Sequence, residues 1–227
     1  MPTSLDAYIE AHSRPNGDMA HYRAQQAPVS LRLCSWIFPE GNCEESLDRG
    51  SRWVENITAQ DVCRWVAHTN DLFRYLSKGS FSLVLEEITT HPLELPIDFA
   101  DFKEFLKGRP ALLSGTGFNV VVGVDELRMS QRRKGSYLGK GLVFVNYTAF
   151  HEGEIVFPHP GYDMTGMHEI MHGLIGFDHC QSQNCLMEGA RDVLGVEDMP
   201  RNDALRLCKE DREALGWPYK KPLRFWP

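Results

Sequence analysis

The stretch that most constrains this chain runs from His168 to Met187, HEIMHGLIGFDHCQSQNCLM. It opens with H-E-x-x-H. On an α-helix, residues four apart lie one above the other on a single face. His168 and His172 would therefore aim two imidazoles at a common point. Glu169 stands one residue beyond the first histidine, where it can reach a water at that point without being a ligand. That is how a zinc hydrolase is built on a helix. A lone histidine on an apolar face is ordinarily a satisfied core residue. Two at ligand spacing with a glutamate between them point to a bound metal.

A helix of this kind needs a scaffold. The chain has 227 residues, 42% hydrophobic and 11% aromatic, enough for one sizeable core. Residues 1–28 hold few large apolar side chains and contain the turn signal Pro15-Asn16-Gly17, so we expect a weakly structured arm with a short helical turn around Leu5–Ala11. A single domain over 29–227 should follow. Its first strand is 29–38, VSLRLCSWIF, which alternates at the start and is broken by Pro39-Glu40-Gly41. Residues 61–78 place Val62, Trp65, Val66, Leu72, Phe73 and Leu76 largely on one helical face, with Gly79 at the C-cap. Strands are expected at 81–88, 118–124 and 141–150, a short one at 155–157, and a short helix at 98–107. The 141–150 strand, GLVFVNYTAF, reads either as a core strand or as a sheet edge to which an extended peptide could add. Asp163 or Thr165 can cap the H-E-x-x-H helix, and a last helix is expected at 202–215, ended by Gly216-Trp217-Pro218. The order predicts an α/β fold, a mixed twisted sheet packed on helices.

Composition narrows the partners. The net charge is −7 and no basic run exceeds Arg132-Arg133-Lys134, which argues against nucleic acid. No apolar run approaches the ~20 residues needed to cross a bilayer, so no membrane association is expected. The polar, mixed-charge N-terminus does not read as a signal peptide, so the expected location is cytoplasmic and the sequons at Asn56 and Asn146 are accidental. The six cysteines are Cys34, Cys43, Cys63, Cys180, Cys185 and Cys208. In a reducing compartment, clustered cysteines point to metal more than to disulfides.

A catalytic zinc usually keeps three protein ligands and a water. Gly176 can end the helix in a left-handed conformation, and His179, three residues on, could swing back to the metal. Here the sequence resembles the metzincins, with their pattern H-E-x-x-H-x-x-G-x-x-H. More narrowly it resembles the archaemetzincins, in which the motif continues H-C-x4-C-x-M, matched by His179-Cys180, Cys185 and Met187. The spacing departs in one place: Gly173, Leu174 and Ile175 stand where the family has two residues. Counted from His168, the third ligand falls on Asp178; counted back from Cys180, it falls on His179. The extra residue turns the downstream chain by about 100° and advances it ~1.5 Å, which a π-bulge near Gly173 could absorb. His179 is favoured because Gly176, Cys180, Cys185 and Met187 keep register with it.

The resemblance implies a metzincin-like domain and a zinc-dependent peptidase that acts on peptides, with Glu169 as general base and Met187 as an apolar floor beneath the ligands. A monomer is expected. The resemblance also implies a second zinc, bound by the cysteines of H-C-x4-C and a later C-x-x-C. The first cysteine of that pair is replaced by Leu205, and the second is Cys208. Cys180, Cys185 and Cys208 remain. They could hold a metal with a water, Cys63, Cys34 or Asp211 as the fourth partner, form a disulfide, or stay buried thiols. The alternative to a peptidase is a non-catalytic zinc-binding protein on the same fold. A hydrolase of another amide bond also fits, since the residues before His168 carry no legible substrate signature.

Overall fold

The computed structural model describes residues 17–25, 27–37, 42–47, 50–92, 105–106, 108–123, 135–146, 164–176, 180, 185–187, 204–221 and 223–224. At its centre lies β5 (Phe118–Gly123), FNVVVG, every residue of which is buried. It shows no alternation because both of its faces are covered. On one side it pairs in parallel with β1 (Val29–Ile37), and β1 with β4 (Leu83–Pro92). On the other side it pairs in parallel with β7 (Leu142–Asn146). The edge strand β6 (Gly135–Gly139) runs antiparallel to β7. The sheet order is β4-β1-β5-β7-β6, so the fold is α/β with a mixed five-stranded sheet. Of the two readings of 141–150, the core strand holds: β7 is interior, and the edge is β6, whose short GSYLG sequence gave no strand signal. A separate hairpin joins β2 (Asn42–Leu47) to β3 (Gly50–Glu55). It too was unanticipated, since NCEESL carries no apolar alternation.

Helix α1 (Ala59–Ser77) begins at a capping box, in which Thr58 accepts from the Asp61 N–H at 3.2 Å and Asp61 accepts from the Thr58 N–H at 2.8 Å. It ends as Lys78 and Gly79 both turn to positive φ. Val62, Trp65, Val66, Leu72, Phe73 and Leu76 form its buried stripe. The Asn70 side chain brackets the backbone of Leu83, donating to its carbonyl at 2.8 Å and accepting from its N–H at 2.6 Å, which fixes the helix to the start of β4. Of the helix expected at 98–107, Phe105 and Leu106 are described and helical. The strand expected at 155–157 lies outside the described residues.

Residues 17–25 and 204–221 close on this core. Residues 1–16 of the expected arm lie outside the described residues, whereas 17–25 dock. Met19 is buried, its N–H donates to the Gly173 carbonyl at 2.9 Å, and a 3-10 turn follows at Ala20–Ala24. Asp18 accepts hydrogen bonds from the Tyr137 hydroxyl and the Lys140 N–H at the β6–β7 turn. Arg23 donates to the carbonyls of Leu174 at 2.5 Å and Ala214 at 2.6 Å. This segment ties the edge hairpin to the helix bearing Gly173. Near the other end, the helix expected at 202–215 is shorter. Ala204–Leu205 forms β8, paired with β9 (Leu223–Arg224), and α3 covers only Lys209–Leu215. Pairing of residues 204–206 with neighbouring segments overrides their helix propensity. Among the described residues, no helix is long and apolar enough to cross a membrane.

Candidate functional site

The H-E-x-x-H segment is helical as expected, in α2 (Met164–Ile175). Met167, Ile170, Met171 and Leu174 are fully buried, at the spacing of one helical face. Two glycines let the helix approach its neighbours closely. A Cβ on Gly166 would come within 2.5 Å of the Trp65 ring of α1, and one on Gly173 within 2.8–3.0 Å of the Phe118 and Tyr137 rings of the sheet. The helix is α-helical throughout, so no π-bulge near Gly173 absorbs the extra residue of the motif. The helix runs to Ile175. Gly176 then takes φ 118°, a conformation that favours glycine, while its N–H still donates to the His172 carbonyl at 2.8 Å. Asp163, the candidate cap, lies outside the described residues. Thr165, the other candidate, is already inside the helix.

His168 and His172 converge. Their Nε2 atoms are 3.1 Å apart. Nδ1 of His168 lies 2.6 Å from the Leu186 carbonyl, and Nδ1 of His172 lies 2.7 Å from the Gly176 carbonyl. A carbonyl only accepts, so each Nδ1 must carry the proton, and in a neutral imidazole this leaves a lone pair on Nε2. Two lone pairs face each other, an arrangement that takes a shared proton or a metal cation. Zinc–nitrogen bonds of about 2.0–2.1 Å at a tetrahedral angle separate two imidazole nitrogens by about 3.3 Å. The pair is therefore at ligand spacing, with each ring oriented by a backbone carbonyl, as metal-binding histidines ordinarily are.

Glu169 is 7% exposed and projects toward the edge strand. A Cβ at Gly135 would come within 2.9 Å of its Cγ and 2.8 Å of the Thr165 methyl. Helix α2 thus crosses β6 where that strand has no side chain. Asp178 and His179 lie outside the described residues. Met187 is fully buried, and its carbonyl accepts from the Cys180 N–H at 2.9 Å.

The second cluster is well defined. One ligand atom from each of Cys180, Cys185, Cys208 and Asp211 lies within 4.8 Å of all the others, close enough to bind one metal ion. The thiols of Cys185 and Cys208 donate to one Asp211 carboxylate oxygen at 3.1 and 3.0 Å. Cys208 is the N-cap of α3, and its sulfur accepts from the Asp211 N–H. Burial pushes both thiols up, and the nearby Asp211 carboxylate raises them further. Cys34, Cys63, Cys180, Cys185 and Cys208 are all free thiols, so no disulfide links the cluster, and neither Cys34 nor Cys63 belongs to it. Of the fourth partners considered, Asp211 is the one brought in. Cys208-x-x-Asp211 keeps the two-residue spacer of a C-x-x-C pair, displaced by one ligand along the chain, and that spacing was its sequence signal. The orienting carbonyls of Leu186 and Gly176 had no signal, since every residue carries a carbonyl.

No protein-family model matches the chain, and no curated protein matches it.

Proposed function

We propose that the chain is a zinc-dependent metallopeptidase of the archaemetzincin type, in a metzincin-like fold. The observation that carries this reading is the facing Nε2 pair of His168 and His172, each ring fixed through Nδ1, with Glu169 beside it on the same helix. His168 and His172 would hold the ion, with His179 as the expected third ligand and Asp178 as its alternative. Bound there, zinc would supply Lewis acidity and lower the pKa of a water from 15.7 to about 7.

The remaining steps belong to the chain's own residues. Glu169 takes the proton of the attacking water and delivers it to the leaving amine. Its burial against β6 keeps the carboxylate in a low-dielectric environment, where its charge acts strongly. Every residue of β6 is buried, so the strand is a fixed wall against which Glu169 is held.

The test joins metal content to activity. Glu169→Gln should retain the metal and lose peptide hydrolysis by ~100-fold or more, in keeping with the usual contribution of a general base. A variant that cleaves as well as wild type would refute the reading and favour a non-catalytic zinc protein. His179→Ala should lose the metal and Asp178→Ala should keep it; the reverse result assigns the third position to Asp178.

A further inference from the structure

The two clusters share one turn. Residues 185–187 carry Cys185 of the thiol cluster and, one residue later, the Leu186 carbonyl that accepts from His168 Nδ1 at 2.6 Å. The turn is tied to the cluster on both sides. Cys185 bridges to Arg206, and the Leu186 N–H donates to the Arg206 carbonyl at 2.9 Å. The Cys208 N–H donates to the Cys185 sulfur at 3.2 Å, and the Cys180 N–H donates to the Met187 carbonyl. Cys180 and Cys185 meet Cys208 and Asp211, from a distant stretch of the chain, at four ligand atoms, and Leu186, next to Cys185, accepts from a histidine of the other site.

We propose that a thiophilic divalent cation of the zinc class, bound by Cys180, Cys185, Cys208 and Asp211, fixes the 185–187 turn and, through the Leu186 carbonyl, orients His168. Filling this site then raises the metal affinity of the histidine pair.

The donor set determines the cation. Three sulfurs and one carboxylate oxygen select a borderline-soft tetrahedral ion over magnesium or calcium. In a tetrahedral zinc site, sulfurs bonded at about 2.3 Å lie about 3.8 Å apart, so the present 4.8 Å limit requires only a small contraction. Without a cation, the turn is held by hydrogen bonds that are individually weak. With one, the coordinate bond from the Cys185 thiolate joins the turn to Cys180, Cys208 and Asp211 through the cation, and metal binding free energy becomes local folding free energy. Groups that orient a ligating histidine typically alter metal affinity by about 10–100-fold, and that is the effect expected here. Cys180, Cys185, Cys208 and Asp211 act as positioning residues for the proposed reaction.

The inference rests on reading the histidine pair as a metal site, and the experiment separates the two. One equivalent of Cd2+ is added to the metal-stripped full chain, and its thiolate charge-transfer absorption is read. Zinc affinity at the histidine pair is then measured by competition with a chromophoric chelator. Cadmium-loaded wild type should bind that zinc about 10–100-fold more tightly than Cys208→Ser. Asp211→Cys, which keeps four ligands, should retain the wild-type value. In unsubstituted protein, cadmium alone should slow solvent exchange of the His168 Nδ1 proton, a readout that needs no variant to fold. Absence of the cadmium band overturns the cluster as a site. A cadmium band with equal zinc affinity and unchanged exchange overturns the coupling alone. A cadmium band with no second metal at any concentration overturns the histidine centre, and the coupling with it.

Discussion

Replacing Gly173 by alanine tests the contact on which the placement of α2 depends. In a helix interior the exchange ordinarily favours alanine by about 1 kcal/mol, because glycine loses more backbone freedom on folding. Here the new methyl would lie 2.8 Å from Phe118 Cε1 and 2.9 and 3.0 Å from Tyr137 Cε2 and Cζ. Carbon atoms pack at about 3.5–4.0 Å, so each contact is too short by most of an ångström. Neither ring can swing aside. Both are buried, and the Tyr137 hydroxyl bonds to Asp18 and accepts from the Gly141 N–H. The helix must therefore move. Overpacking of this kind costs about 1–3 kcal/mol. Set against the gain in helix propensity, the net loss is about 0–2 kcal/mol. For a chain of this length, that lowers Tm by up to about 8 °C. The assay is thermal unfolding in chelator, so that metal binding does not mask the loss. Because His172 precedes Gly173, the displaced helix should also weaken zinc binding. Adding Phe118→Leu should recover part of the Tm. An alanine variant that melts higher than wild type would show that the two rings do not limit the approach of the helix to the sheet.

Two further outcomes concern neighbouring contacts. Gly135→Ala puts a methyl within 2.9 Å of Glu169 Cγ, so peptide hydrolysis should fall by about 10–100-fold with metal content unchanged, since misplacement of a reacting group by about 1 Å costs ~100-fold; full activity would mean that Glu169 does not act from its present position. Tyr137 is shifted upward, first by burial and then by Asp18. Above about pH 10 an unfolded phenol gives up the proton that the folded one keeps. The stability from this difference is whole below that pH and lost as pH rises above it. Denaturant midpoints measured from about pH 9 to 11 should fall in wild type and fall less steeply in Tyr137→Phe; equal slopes would refute the assignment.

What the sequence disclosed depended on how local each feature is. Val62, Trp65, Val66, Leu72, Phe73 and Leu76 repeat at the helical period, so α1 was legible to within a few residues. FNVVVG is a continuous apolar run, so β5 was too. GSYLG has no such pattern, and β6 exists because β7 offers an edge and Asp18 holds the turn after it. NDALRLCKEDREAL reads as one helix, yet its first part pairs as strand with β9 and bridges to Cys185, contacts that no local window contains. The spacing of His168 and His172 announced two converging imidazoles. The carbonyls that orient them lie in a turn 18 residues beyond His168 and at the end of the helix, and backbone groups leave no mark in a sequence.

The extra residue in the motif illustrates the same division. By residue count alone it is a defect that rotates everything after it by about 100°. In three dimensions the helix runs regularly to Ile175 and closes on Gly176. Gly176 sits four residues beyond His172, so its N–H closes an ordinary helical hydrogen bond to the His172 carbonyl, and its own carbonyl is brought back to His172 Nδ1 at 2.7 Å. One residue both ends the helix and orients the ring one turn before it. A glycine at this position can take φ 118° without the Cβ clash that other residues would suffer. The His172 ring is thus fixed from the end of its own helix and the His168 ring from the 185–187 turn. The facing of the two Nε2 atoms is set by these two carbonyls. A chain with three residues between His172 and Gly176 can therefore keep its two histidines facing each other.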